Sequence, residues 1–216
     1  MAMILGVTGG IGSGKSSVSR LLACYCLAPL IDLDQSCRHL LDTGQAGWQA
    51  LHTAFAGTFE LPDGRINRPL LREKLFQDAS FRQEVDALLH PLALARMREE
   101  VEVMRKQAAL ILIEIPLLYE AGWQRHVDAV LVVYARRAVQ CCRLMQRDGI
   151  SRKQARQALA AQMDLGEKAS LADYVIDNST HWALTRKAVI ALGDRLGPEL
   201  LQTNALHHEK VLDSSS

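Results

Sequence analysis

Ile4-Leu5-Gly6-Val7-Thr8-Gly9-Gly10-Ile11-Gly12-Ser13-Gly14-Lys15-Ser16 begins as a short apolar run and ends in a glycine-rich segment closed by Lys and Ser. From Gly9 to Ser16 it fits G-x-x-x-x-G-K-[ST], the P-loop pattern. The flanks agree with that reading. Met3 to Val7 reads as a buried strand, and the residues after Lys15 read as a helix with Val18, Leu21 and Leu22 on one face. The chemistry explains each residue type. Glycine lets the backbone wrap around phosphate oxygens without Cβ clashes. Backbone N–H groups and a helix N-terminus supply fixed positive partial charge. Gly10, Ile11, Gly12, Ser13, Gly14, Lys15, Ser16 and Ser17 are therefore the candidate phosphate cradle. Lys15 is placed to reach β- and γ-phosphates, and the Ser16 hydroxyl to ligate Mg²⁺.

Outward from this loop, strands and helices alternate, which predicts a parallel sheet covered by helices. The expected strands are Met3–Thr8, Leu30–Asp32, Leu110–Ile115, Ala129–Tyr134 and Tyr174–Asp177. Their continuous apolar runs suit strands buried on both faces. The fold class is α/β, a three-layer P-loop NTPase fold with a five-stranded parallel sheet. Two stretches interrupt the alternation. The first, about 35–107, reads as a helical substrate-binding insertion, and the second, about 140–163, as a small lid. Within the lid, Asp148-Gly149 breaks one helix and Ser151 starts the next. The organisation expected is one P-loop domain over about 1–205 and a polar tail over 206–216.

Composition narrows the setting. The 216 residues are 49% hydrophobic, so a sizeable core can be buried, and the formal net charge is +1. That balance provides no global field toward nucleic acid or an acidic membrane. No apolar run approaches the ~20 residues needed to span a bilayer, and the N-terminal apolar run is too short for a signal peptide. Five cysteines, Cys24, Cys26, Cys37, Cys141 and Cys142, form no C-x-x-C pair. Their odd number speaks against a disulfide framework. The expectation is a cytoplasmic protein with no nucleic-acid, membrane or obligatory protein partner.

Several polar groups stand where the fold would put a site. Asp32-Leu33-Asp34 follows the second strand, at the carboxyl edge where α/β sheets bind ligands. If the strand persists, alternation places both carboxylates on one side. Either could accept a proton from an attacking hydroxyl, while Asp34 could equally cap a helix. Asp32 is also a candidate metal ligand. Glu114 ends the third strand, where a carboxylate can sit near Mg²⁺ or serve a structural partner. Gln140, Arg143 and Arg147 share a helical face and read either as lid residues that stabilise phosphoryl charge or as a solvated basic face. His90-Pro91 reads as a turn or a helix start.

Together these segments resemble the dephospho-coenzyme A kinase family over roughly residues 4–180. Thr8 to Ser16 is similar to its opening motif, and Ile31-Asp32-Leu33-Asp34 to its Asp-Ala-Asp segment. Gly64-Arg65-Ile66-Asn67-Arg68 with Leu71 and Phe76, then His90-Pro91, resemble its substrate side. Pro116-Leu117-Leu118-Tyr119-Glu120 resembles the segment after its third strand. Gln140, Arg143, Arg147-Asp148 and Gln162 resemble its lid, and Asp173 with Ile176-Asp177-Asn178 its last strand. Leu33 stands where the family pattern has Ala, and Ser17 where Thr is common. The resemblance implies transfer of the ATP γ-phosphate to the ribose 3′-hydroxyl of dephospho-coenzyme A, with Mg²⁺. It implies Asp34 as base, Lys15, Arg143 and Arg147 as charge-stabilising groups, and Arg68, His90, Leu117 and Leu118 as substrate contacts. Another P-loop nucleotide or nucleoside kinase is the alternative. A guanine-nucleotide switch is disfavoured, because no Asn-Lys-x-Asp motif is present.

Overall fold

The computed structural model describes residues 2–213. The chain divides into two compact units, one of Met1–Asp32 with Met104–Ser216 and the other of Leu33–Val103.

The first unit is built on five parallel strands, β1 (Met3–Gly9), β2 (Leu30–Asp32), β3 (Leu110–Glu114), β4 (Ala129–Tyr134) and β5 (Tyr174–Asp177), in the order β2-β3-β1-β4-β5. β1 is central and is buried from Ile4 onward, as its apolar run requires. Helices α1 (Lys15–Cys26) and α9 (Trp182–Asp213) cover one face. Val18 and Leu22 of α1 and Val189 and Leu196 of α9 join Leu5, Val7, Leu112, Leu131, Val133 and Ile176 of the strands in one core. Carboxylates fix two strand starts: Asp128 Oδ2 accepts from Ile4 N at 2.7 Å, and Asp173 Oδ2 from Val130 N at 2.7 Å. The register pairs Val7 with Glu114 and Asp32 with Glu114. The glycine-rich loop and both carboxylates therefore leave the same, carboxyl-terminal edge of the sheet. Helices α6 (Arg137–Asp148), α7 (Arg152–Ala160) and α8 (Leu165–Ser170) lie between β4 and β5. α9 continues through the stretch expected as a polar tail as far as Asp213, and 214–216 lie outside the described residues. No helix among the described residues is long and apolar enough to cross a membrane.

The second unit is helical: α2 (Leu33–Leu40), α3 (Ala46–Phe55), α4 (Arg68–Gln77) and α5 (Ala79–Met104). Its core gathers Leu51, Phe59, Ile66, Leu71, Phe81 and Val85. Phe55, Phe59 and Phe81 pack with ring centroids 5.0 to 5.7 Å apart, within the range where edge and tilted aromatic contacts are favourable. Asn67 caps α4, its side chain accepting from Leu70 N, with Pro69 in the first turn. The buried Ser36 hydroxyl of α2 donates to Glu100 of α5 at 3.0 Å.

Two local expectations are overturned here. The second strand does not persist past Asp32: the next residue, Leu33, is buried and opens α2. β2 is an edge strand paired with β3 over three residues only. Beyond that pairing, an acidic residue is more favourable in a helix's first turn, beside the positive end of its dipole. Asp34 thus belongs to a helix, and the alternation that would have aligned it with Asp32 is lost. His90-Pro91 is neither a turn nor a helix start, because Pro91 lies inside the 26-residue α5. An interior proline forfeits one backbone hydrogen bond. The helix continues because Val85, Ala93, Met97 and Val101 maintain a buried face across it.

Candidate active site

The loop between β1 and α1 takes its shape from Gly12 and Gly14, whose φ values of 75° and 87° are left-handed. At Gly14 a second constraint applies, since a Cβ would stand 2.2 Å from Asn178 Nδ2. Three of the loop's carbonyls are held by side chains from elsewhere in the fold. Ile11 O accepts from Gln140 Nε2 at 2.9 Å. Gly12 O and Ser13 O accept from Arg143 Nη1 at 3.3 and 3.1 Å, and Ser13 O also from Asn178 Nδ2 at 2.8 Å. Arg143 Nη2 closes the clasp on Asn178 O at 2.9 Å, and Thr185 Oγ1 donates to Asn178 Oδ1 at 3.0 Å. Three of the cradle's amides are already bonded: Ile11 N to Gln162 Oε1, Ser13 N to Gly10 O and Ser17 N to Gly14 O. Lys15 and Ser16 supply first-turn amides of α1, which by helix geometry have no intrahelical acceptor.

Inside the loop, Lys15 Nζ lies 2.5 Å from Glu114 Oε2, and Ser16 Oγ donates to the same oxygen at 2.9 Å. Glu114 is buried. Asp32 is its cross-strand partner on β2 and is exposed. A cation and a hydroxyl therefore meet one carboxylate at the sheet edge, with a second carboxylate, Asp32, on the neighbouring strand.

The segment read as a lid is an α6–α7 hairpin. Gly149, with φ 65°, ends α6, and Ser151 forms a capping box with Gln154 at the start of α7, a pattern that satisfies two amides reciprocally. Cys141, Leu144, Ala155 and Leu159 pack the hairpin together, and Ile11 at the loop tip joins their cluster. Ile11 is thus an apolar anchor of the cradle.

The two arginines of this face part company. Arg143 grips backbone carbonyls as described, whereas Arg147 pairs through two nitrogens with its neighbour Asp148 at 2.7 and 2.8 Å and is largely exposed. Its hydrogen bond to Asp148 holds the Arg147 guanidinium above its usual pKa. Replacing Arg143 by Ala should raise the KM for ATP about tenfold by loosening the loop, and Lys should substitute poorly for its planar fork. Arg147→Ala should leave the KM for ATP nearly unchanged. Steady-state kinetics with ATP as the varied substrate tests both.

Of the four expected substrate contacts, Arg68 opens α4 and donates to Arg38 O at 2.9 Å and Asp42 Oδ1 at 3.0 Å. With Leu41, Leu61, Ile66 and Pro69 it lines a cavity of about 660 Å³ in the helical unit. His90 lies on α5, 3.7 Å from Asp86. Leu117 is exposed, whereas Leu118 is fully buried. A Cβ on Gly6 would come within 2.8 Å of Leu118 Cδ1, so Leu118 packs the segment onto β1. No sequence pattern singles out Thr185 or Lys168, although both hold the site's surroundings. The Lys168 ammonium is buried against Pro116 O and Glu120.

Against known proteins, the family model described as dephospho-CoA kinase (CoaE) matches residues 3–183. A dephospho-CoA kinase of Lactiplantibacillus plantarum is 38% identical over 191 residues, covering 88% of this chain and 96% of that one. Among solved structures, TT1252 from Thermus thermophilus superposes with a TM-score of 0.72 at 30% identity, over 90% of this chain and 98% of that one. Dephospho-CoA kinase from Campylobacter jejuni superposes with a TM-score of 0.68 at 25% identity, over 92% and 99%.

Proposed function

The chain belongs to the dephospho-CoA kinase family, and from that membership we propose the role of each residue at its site. The reaction is transfer of the γ-phosphoryl group of ATP to the ribose 3′-hydroxyl of dephospho-coenzyme A, giving coenzyme A and ADP. Phosphoryl transfer asks little covalent chemistry of a protein and much positioning and charge stabilisation. The observation that carries the assignment is Lys15 and Ser16 meeting one oxygen of Glu114, next to a loop whose Ile11, Gly12 and Ser13 carbonyls are bonded to side chains from α6 and the Asn178 segment. The first-turn amides of Lys15 and Ser16, which have no intrahelical acceptor, remain to meet the phosphates.

In this reading Lys15 leaves Glu114 for the β- and γ-phosphates as ATP binds. Arg143 maintains the loop from outside. Arg147 releases Asp148 to meet charge on the transferring group. Asp34, two residues along the chain from Asp32, takes the proton of the 3′-hydroxyl. Arg68, His90 and Leu117 serve the acceptor. The kinase domain over 1–205, with its helical insertion and its lid, is the proposed organisation.

Mg²⁺ is the proposed cofactor. Ser16, Glu114 and Asp32 offer a hydroxyl and carboxylates, an all-oxygen set that suits a hard cation. Among the described residues no group of three or more His, Cys, Asp or Glu could hold a metal by itself. That fits an ion that reaches the site with nucleotide phosphates as part of its shell. Held by these residues, such an ion would supply positive charge against the phosphates. The proposed compartment is the cytoplasm, supported by five cysteines that are all free thiols.

The test is an acceptor panel with ATP: dephospho-coenzyme A, adenosine, AMP and shikimate. Dephospho-coenzyme A should be consumed at least a hundredfold faster than the rest, with phosphate added at the 3′ position. Comparable use of a nucleoside or AMP would return the assignment to the wider P-loop kinase class.

A further inference from the structure

Lys168 is the one charged side chain among the described residues whose exposure is 0%, and no step of the reaction uses it. A buried ammonium is costly unless hydrogen-bonded and paired, so its partners matter. Nζ donates to Pro116 O at 3.2 Å and meets Glu120 Oε1 at 2.8 Å. Each acceptor is shared. Pro116 O also accepts from Thr8 Oγ1 at 3.1 Å, and Glu120 Oε1 from Met163 N at 3.2 Å.

Three residues of this network, Thr8, Pro116 and Met163, lie next in the chain to working parts of the site. Thr8 directly precedes the glycine-rich loop. Pro116 is two residues beyond Glu114, which holds Lys15 and Ser16. Met163 follows Gln162, whose Oε1 holds Ile11 N at 2.9 Å, and it ends the segment that returns from the α6–α7 hairpin. Three distant stretches of chain are joined through one ammonium. We propose that Lys168 is a positioning residue: through Pro116 and Glu120 it fixes the Glu114 segment and the return of the lid relative to the phosphate loop. The inference rests on the assignment of that loop and Glu114 to ATP. It adds the group that keeps them in register.

A junction of this kind acts on turnover more than on nucleotide affinity. ATP is held largely by the loop and its clasp, which Lys168 does not touch. Transfer depends on where Lys15 and Glu114 stand, and a misplacement on the order of 1 Å can cost about 10²-fold.

The test uses Lys168→Met, Glu120→Ala and the double variant in the full chain. The first readout is kcat per folded molecule, with KM for both substrates, below the unfolding temperature of each variant. The second is hydrogen exchange of the ligand-free protein in peptides containing Ile11 and Met163, against α3 as reference. Each single variant should lose about tenfold in kcat, with the KM for ATP moving less than threefold. Exchange should quicken at both peptides and not in α3. The double variant should lose no more than the worse single one, since both break the same junction. Unchanged kcat per folded molecule, or additive losses, would overturn the proposal and leave Lys168 a structural ion pair. If Lys168→Met does not fold, Glu120→Ala alone decides on the same two readouts, because its carboxylate is partly exposed and carries the Met163 tie. Exchange is read without substrate, so an error in the acceptor would leave it unmoved.

Discussion

Lys15→Ala should lower kcat by about 10²–10³-fold, the usual effect of removing one preorganised charge from a developing oxyanion. The ammonium belongs to the first turn of a helix whose N-terminal glycine is left-handed, so its stem starts from a fixed point. Arg143 is committed to the carbonyls of Gly12, Ser13 and Asn178, which leaves Lys15 as the cation paired with Glu114 at the loop. The variant should fold but melt earlier. Glu114 is buried, and without Lys15 it retains Ser16 Oγ as a donor. A buried charged acceptor losing one of its partners costs about 1–3 kcal/mol. The measurement is single-turnover transfer with saturating ATP, alongside thermal unfolding. Turnover within tenfold of the parent in a folded protein would remove Lys15 from the mechanism.

Asp34→Asn should reduce kcat by about 10²–10⁴-fold, the range for loss of a general base, with ATP binding changed less than twofold. The amide preserves size and can still cap backbone groups, but it cannot accept the hydroxyl proton. Stability should fall by about 0.3–1 kcal/mol, since a first-turn acid favours the eight-residue α2. Asp32→Asn should behave differently. Asp32 neighbours Glu114 at the sheet edge, so its loss should raise the Mg²⁺ concentration needed for half-maximal rate. Titrating Mg²⁺ against both variants separates the roles. If Asp32→Asn stays inactive at saturating Mg²⁺ while Asp34→Asn is active, the base is Asp32.

Much of this site can be read from sequence because its parts are local. The three inner strands stand out since β1, β3 and β4 are buried along nearly their whole length and their apolar runs are unbroken, whereas the edge strands β2 and β5 keep exposed residues. The glycine-rich loop is a contiguous motif, and Gly149 and Ser151 end and start helices by their own backbone and side-chain chemistry. What escapes is set by partners far along the chain or by competition between local rules. Alternation through Asp32-Leu33-Asp34 fails because an edge strand with three paired residues yields to a helix. Pro91 looks like punctuation, yet the buried face of α5 carries the helix through it. Arg143 and Arg147 have the spacing of one face, but one finds carbonyls from residues 12 and 13 and the other its immediate neighbour. Leu118 shares a motif with Leu117 and still turns inward, because Gly6 leaves room for it on β1. Lys168 has no local signature at all: its contacts lie 48 and 52 positions away.

The contact between Gly14 and Asn178 has a bearing on descent. A methyl group at 14 would meet both a left-handed backbone and an amide nitrogen 2.2 Å away. Trimming Asn178 first would relieve the collision but not the backbone strain, and it would release Ser13 O and Thr185 as well. Neither order of change passes through a neutral intermediate. Two positions 164 residues apart are therefore expected to be inherited as a pair. A lineage that drifts freely elsewhere in the sheet should keep both or lose the enzyme, and a library randomised at 14 and 178 together should return the parental pair among its active members.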